Sequence, residues 1–162
     1  MVRGEDDDRY LLCRVGARIA ALDVRDVWET MRPLPIEPLT GAPPFILGLA
    51  IVRGFPIPVV DADRLLSSSV SPSTPLISPS PARFVSLKLG VRSAALAVDA
   101  VLEIRALPAG MLANIPPLLG EAGADLVSVI GALDAKLLLV LEAARLVPDS
   151  VWNALKFSNG SA

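Results

Sequence analysis

Few side chains in this chain could carry chemistry: one cysteine, Cys13; a close carboxylate pair, Asp61 and Asp63; and Arg53, set between two apolar runs. Histidine is absent, which removes the commonest general base, the usual metal ligand and any phospho-accepting imidazole. Without it, a serine or cysteine nucleophile lacks its conventional base. Cys13 lies in a β-like apolar run and reads as a buried, inert thiol. As a lone cysteine it rules out an internal disulfide and a cysteine-based zinc site. Asp61-Ala62-Asp63 reads as the cap of a turn after a strand, because the oxygen ligands that would complete a calcium loop are missing. No Gly-Lys-Ser/Thr occurs and no Gly-x-Gly-x-x-Gly opens a helix, so there is no phosphate cradle. The expectation is a protein without catalysis, metal or cofactor.

Arg53 is the unusual residue. Leu47–Val52 and Ile57–Val60 are apolar runs of strand length on either side of Arg53-Gly54. The segment reads as strand, tight turn and second strand, with Gly54 supplying the positive φ of the turn. Pro58 cannot donate a ladder hydrogen bond, which puts its strand at an edge or a bulge. A permanent cation between two buried runs is either a solvated turn residue or is paired for a reason.

Bulk composition narrows the partners. Apolar residues make up 52% of the 162-residue chain and mean hydropathy is +0.56, so material for a core is ample. No apolar run approaches the ~18–20 residues that span a bilayer, and Glu5-Asp6-Asp7-Asp8 is acidic where a signal peptide would be basic. A cytoplasmic protein without direct membrane insertion is expected. With 15 Lys plus Arg against 17 Asp plus Glu, the chain lacks the basic footprint of a nucleic-acid binder. At 4% aromatic residues it cannot build a base-stacking platform or an aromatic groove for proline-rich peptides. What remains is apolar surface, sheet edge and a few charges, the materials of a binding module.

The elements that must position Arg53 come from an internal repeat. Arg9–Val15 and Arg18–Val24 form a hairpin around Gly16-Ala17, and Val27–Met31 continues extended into Pro33-Leu34-Pro35. At a shift of 74, Tyr10–Glu29 lies over Phe84–Glu103 with eight identities in twenty positions. At a shift of 81, Ile57–Leu66 lies over Leu138–Val147. Between the copies, Ser67–Pro81 holds seven serines and four prolines in fifteen positions and reads as a flexible linker. Two copies mean one supersecondary unit used twice, and about five short strands per copy between Gly/Pro turns are the signature of a small barrel. The predicted fold is all-β: two pseudo-equivalent five-stranded barrels, the first over about 9–66 and the second over about 82–147. Ala62–Leu66 reads as a strand end or one helical turn. Leu137–Leu141 reads as a central, fully buried strand, whereas the first copy carries the exposed edge and the cation. Residues 148–162 form a short amphipathic helix with Asp149 as N-cap, followed by a tail.

The residues Arg9–Leu22, Val27-Trp28-Glu29, Pro43-Pro44-Phe45-Ile46-Leu47-Gly48, Val52-Arg53-Gly54, Ile57-Pro58-Val59-Val60-Asp61 and Leu96–Val101 together resemble the CheW family of bacterial chemotaxis coupling proteins. The match runs from about Arg9 to Val147, and Pro-Phe-Ile-x-Gly followed by Arg-Gly and Ile-Pro-Val-Val-Asp is its most specific part. The resemblance implies two SH3-like barrels sharing a hydrophobic centre. It also implies a non-catalytic adaptor that binds the cytoplasmic tip of methyl-accepting chemoreceptors and the regulatory domain of a CheA-type histidine kinase. Such an adaptor is cytoplasmic and associated with receptors at the inner membrane. Arg53 matches the family's functionally important arginine and Glu29 a glutamate near it; a pair between them would explain how the cation is tolerated. Val27 and Val101 match positions in the apolar groove between barrels, with Val24 and Val98 as neighbours, where a receptor helix would lie. Core packing is the alternative for all four valines. The loop Met111–Leu119, with Leu118, corresponds to a region that contacts the kinase or other CheW-like subunits.

The family commonly carries Asn-Leu-Arg-Gly where this chain has Ile51-Val52-Arg53-Gly54. The fitting alternative is a divergent CheW-like assembly protein of a non-chemotaxis pathway, for motility or development, that has lost one interface. A small-ligand sensor or enzyme would need polar groups in the groove, which Val24, Val27, Val98 and Val101 do not supply.

Overall fold

The computed structural model describes residues 9–70, 83–107, 112–114, 127–133 and 136–160. Its strands in the first copy are β1 (Arg9–Val15), β2 (Arg18–Asp23), β3 (Val27–Met31), β4 (Ile46–Val52) and β5 (Phe55–Asp61), followed by helix α1 (Ala62–Val70). The second copy gives β6 (Arg83–Leu89), β7 (Arg92–Val98), β8 (Ala100–Ala106), β9 (Leu112–Asn114), β10 (Val127–Leu133) and β11 (Lys136–Leu141). A 3-10 turn (Ala143–Arg145) and helix α2 (Asp149–Gly160) complete the order.

The repeat extends to structural detail. A bulge between Val27 and Glu29 in β3 recurs at the equivalent place, Val101 to Glu103, in β8. The bulge between Ile46 and Gly48 in β4 recurs between Val127 and Val129 in β10. An isolated bridge from Glu37 to Leu49 lies where the second copy has grown β9, paired through Ala113 with Ile130.

The strands form a six-stranded sheet, β8-β1-β2-β11-β10-β9, and a five-stranded sheet, β3-β6-β7-β5-β4. Each sheet takes its first two repeat strands from one copy and the rest from the other. The joints are parallel ladders, β2 with β11 and β5 with β7. The boundaries 9–66 and 82–147 therefore describe the repeat along the chain, while neither sheet is built from one copy alone.

Alternation along the strands explains this arrangement. Leu11, Cys13 and Val15 of β1, Leu139 and Leu141 of β11, Val85 and Leu87 of β6, and Leu96 and Val98 of β7 join one central core shared by both sheets. The alternate residues Leu12, Ile19, Ala21, Leu138 and Val140 form a core belonging to the six-stranded sheet. Ala50, Ile57, Val59, Phe84, Ala95 and Ala97 do the same for the five-stranded sheet. Strands buried on both faces read as unbroken apolar runs, as Leu138–Leu141 does in interior strand β11. This is the expected all-β fold of two SH3-like halves around a common centre.

Three local expectations are corrected and one holds. β5 is an interior strand rather than an edge. Its prolines are tolerated because the ladder to β7 begins only at Val59, and because Leu49, facing Pro58, exchanges both backbone hydrogen bonds with Glu37 at 2.8 Å. Ala62–Leu66 opens a nine-residue helix, which absorbs Ser67–Val70 from the expected linker. Asp61 caps α1 as expected: its Oδ1 accepts from the Asp63 and Arg64 N–H groups at 3.1 and 3.3 Å. Asp149, expected as a cap, stands in the first turn of α2; the Pro148 carbonyl accepts the Val151 and Trp152 N–H groups instead. Val151 and Trp152 are buried in the central core, so α2 is part of the fold.

Candidate functional site

The hairpin from β4 to β5 turns on Arg53 and Gly54 with φ of 53° and 84°. Two positive φ values in a two-residue loop make a type I′ turn, whose twist suits the flanking strands. Glycine at the second position was legible from sequence. Arginine at the first was not: it is the one non-glycine residue with positive φ among the described residues. An asparagine or glycine would take this conformation at less steric cost, so the turn spends backbone strain on presenting an arginine.

That arginine reaches across the sheet. β3 and β4 are opposite edges of the five-stranded sheet, yet Arg53 Nε donates to Glu29 Oε1 at 2.9 Å and Nη2 to Oε2 at 2.8 Å. The bidentate pair ties the hairpin tip to β3 and closes one mouth of the curled sheet. Glu29 is fixed from behind: its N–H donates to Ser86 Oγ at 3.2 Å, and that hydroxyl donates to the Glu29 carbonyl at 3.3 Å. The hydrogen bonds from Arg53 hold the Glu29 carboxyl below its ordinary range and push the guanidinium further up. Both groups are charged at neutral pH.

Trp28 stands at the β3 bulge, which turns its side chain outward. The Arg53 guanidinium lies 5.6 Å and the Lys88 ammonium 4.7 Å from its ring centre, both within cation–π range. Trp28, Glu29, Val52, Arg53, Phe55, Ile57, Ser86 and Ser93 line a cavity of about 160 Å³. Of its lining, Trp28 and Phe55 are 50% and 71% exposed; Ile51, 62% exposed, faces Pro56 on the other side of the hairpin. The sequence reading named Arg53 and Glu29 but gave no role to Trp28, Phe55 or Lys88. A signal was present: two of the chain's seven aromatic residues stand within two positions of the ion pair.

The four valines are placed elsewhere. Val27, opposite Leu87 in β3, and Val101, opposite Cys13 in β8, are half-buried and pack against the central core. Val24 is half-buried in the turn after β2. Val98 is 2% exposed and, in this structure, is core. None of them lines the Arg53 cavity. Met111 and Leu118 lie outside the described residues.

The remaining chemistry-bearing groups are structural. Cys13 is fully buried, and burial pushes its thiol pKa up to about 12. Asp99 Oδ2 accepts the Gly16 N–H at 2.7 Å, fastening the first hairpin to the end of β7. Among the described residues no group of three or more His, Cys, Asp or Glu side chains could hold a metal, and no helix is long and apolar enough to cross a membrane.

Fold and site together define a duplicated β-scaffold that displays an arginine among exposed aromatic and aliphatic side chains. Residues 9–151 match the CheW-like domain family. Over 119 residues the chain is 32% identical to Protein FrzA of Myxococcus xanthus, covering 74% of this chain and 71% of FrzA. The fold matches that of the scaffolding protein TtCheW from Thermoanaerobacter tengcongensis with a TM-score of 0.69 at 24% identity, covering 86% of this chain and 92% of that one. The chain belongs to the CheW family, whose members are non-catalytic scaffold and adaptor proteins of signal transduction.

Proposed function

We propose that this protein couples the cytoplasmic tips of methyl-accepting chemoreceptors to the regulatory domain of a CheA-type histidine kinase, in the cytoplasm beneath the inner membrane. The observation that carries the reading is Arg53 on its strained turn, oriented by Glu29 and Trp28 over a cavity that exposed Phe55 also lines. Tryptophan and arginine around a small cavity are the composition of a binding hot spot. Strain retained at one exposed residue is a mark of function rather than stability. In this reading the receptor helix meets Arg53 and the half-buried Val24, Val27 and Val101, while Val98 supports that surface from below. Met111 and Leu118 belong to the kinase or subunit contact. Purified protein, receptor-tip fragments and kinase are co-sedimented with wild type and with Arg53→Glu. Kinase recruitment that requires the receptor fragment and disappears in the variant supports coupling.

Exposed Ile51, where the family commonly has asparagine, favours a second reading. In it the protein is a divergent CheW-like assembly protein of a motility or developmental pathway with one interface altered. Kinase binding that is indifferent to the receptor fragment and to Arg53 selects that reading.

A further inference from the structure

β8 is the outermost strand of the six-stranded sheet, and its five consecutive residues Leu102–Ala106 are exposed. Ile104 is 61% and Leu102 47% exposed. Among the described residues no strand pairs with its outer edge. Through the repeat β8 is the counterpart of β3, but the two edges are treated differently. In β3 the hairpin arginine captures Glu29. In β8 the equivalent Glu103 pairs with Arg105 of its own strand at 2.6 Å, and among the described residues no strand covers the edge.

Unpaired edge N–H and C=O groups are a template for strand addition, and proteins commonly blunt them with charged side chains, lysine above all, with proline or with a bulge. β8 has a bulge at Leu102, and over Glu103–Ala106 it carries neither lysine nor proline; its two charges alternate in sign about Ile104, so they do not repel a copy of the same strand. We infer that β8 is a self-association edge, pairing antiparallel with β8 of a second copy about a two-fold axis at Ile104. Read in reverse, Glu-Ile-Arg is its own charge complement. The axis sets Glu103 opposite Arg105 of the second copy, Arg105 opposite Glu103 of the second copy, and Ile104 opposite Ile104. Opposite charges and branched apolar residues directly across an antiparallel pair are favourable, and the Glu–Arg pair forms twice by symmetry. A foreign strand would have to match this order by accident, whereas a second copy matches it by construction. Leu102, skipped in the pairing with β1, bends the strand, so the paired stretch is short and the dimer weak. The hairpin of Arg53 belongs to the other sheet, and the inference does not rest on the coupling function.

The test is sedimentation equilibrium of the full chain, with Arg105→Glu and the exchange Glu103→Arg/Arg105→Glu. Wild type dimerises with rising concentration. Arg105→Glu, which sets Glu opposite Glu at two places, weakens the dimer roughly tenfold or more. The double exchange restores it, because the swapped strand is again its own complement. In parallel, Ile104→Cys and Val91→Cys are oxidised mildly. Facing positions on an antiparallel pair lie ~4.5–5.5 Å apart at Cα, within disulfide reach. Ile104→Cys forms a covalent dimer, while Val91→Cys, on the fully exposed turn after β6, does not; buried Cys13 gives no background. A protein that stays monomeric to about 1 mM without an Ile104→Cys cross-link overturns the inference, even if the edge accepts a foreign strand. So does association that the double exchange fails to restore.

Discussion

Replacing Gly48, inside β4, by alanine should damage the fold far more than the same change at the turn glycines Gly41, Gly54 and Gly90. Gly48 belongs to the Pro-Phe-Ile-x-Gly segment and has φ of 143°, a conformation that L-residues avoid. A Cβ there would overlap the Glu37 carbonyl oxygen and come within 2.9 Å of Ile36 Cγ2. The obstruction is backbone, so no side-chain rotation relieves it. The Ile36–Glu37 segment must move away and surrender the reciprocal hydrogen bonds between Glu37 and Leu49, both 2.8 Å. Local strain of about 1–3 kcal/mol and two backbone hydrogen bonds at about 1 kcal/mol each give a destabilisation of about 3–5 kcal/mol. At 2–4 °C per kcal/mol for a chain of this size, Tm falls by roughly 6–20 °C. Gly41→Ala is the control: its φ is 83° but a Cβ meets nothing within 4 Å, so only the backbone cost of about 1–2 kcal/mol applies. Both variants are unfolded in urea and by heat against wild type. A Gly48→Ala midpoint no lower than that of Gly41→Ala would refute the close approach as the reason for glycine.

Cys13 in the folded protein should stay unmodified by a thiol-specific disulfide reagent at pH 8 and react fully in denaturant, because its thiol is buried with a pKa raised to about 12; rapid labelling of the native protein would contradict this. The buried Asp61 has its carboxyl pKa raised above the ordinary value, chiefly by desolvation, which outweighs the opposing α1 cap hydrogen bonds and the ion pair with Arg64. The folded state then holds this proton to higher pH than the unfolded state, so Asp61's contribution to stability declines as pH rises from about 3.9 through the folded value. The stability difference between wild type and Asp61→Asn should therefore shift against wild type over that window, and a difference that is flat or runs the other way contradicts the burial.

Much of this architecture was legible because duplication leaves marks that pattern reasoning can find. The shift of 74 that aligns Gly16 with Gly90 and Val24 with Val98 also relates the starts of β1 and β6 and of β2 and β7. The shift of 81 relates β4 to β10. The exchange of strands between sheets was not legible. The apolar runs at Ala20–Leu22 and Leu138–Leu141 show that these strands are buried, but not that they lie side by side in parallel. The position of β5 was misread for a related reason. Pro58 rules out one donor, and only the tertiary partner of each neighbouring backbone group shows whether that donor was needed. At the site, charge pairing carried the Arg53–Glu29 reading, while Trp28 escaped because its exposure depends on a bulge. Val98 and Val101 look alike in sequence, yet Val98 is buried and Val101 half-buried. Position along a strand does not distinguish a half-buried valine from one in the core beneath it.

The central claim is that a partner reads Arg53 itself, rather than only the closure that Arg53 gives the sheet. Co-sedimentation of kinase with receptor-tip fragments separates the two when run with wild type, Arg53→Glu and the exchange Glu29→Arg/Arg53→Glu. The exchange keeps an ion pair between the hairpin tip and β3 but removes the arginine from the turn. Loss of kinase recruitment in both variants, with the folded structure intact by circular dichroism, is the predicted result. Recruitment restored by the exchange would mean that the pair only holds the sheet closed, and would contradict the assignment of Arg53 as the recognition residue.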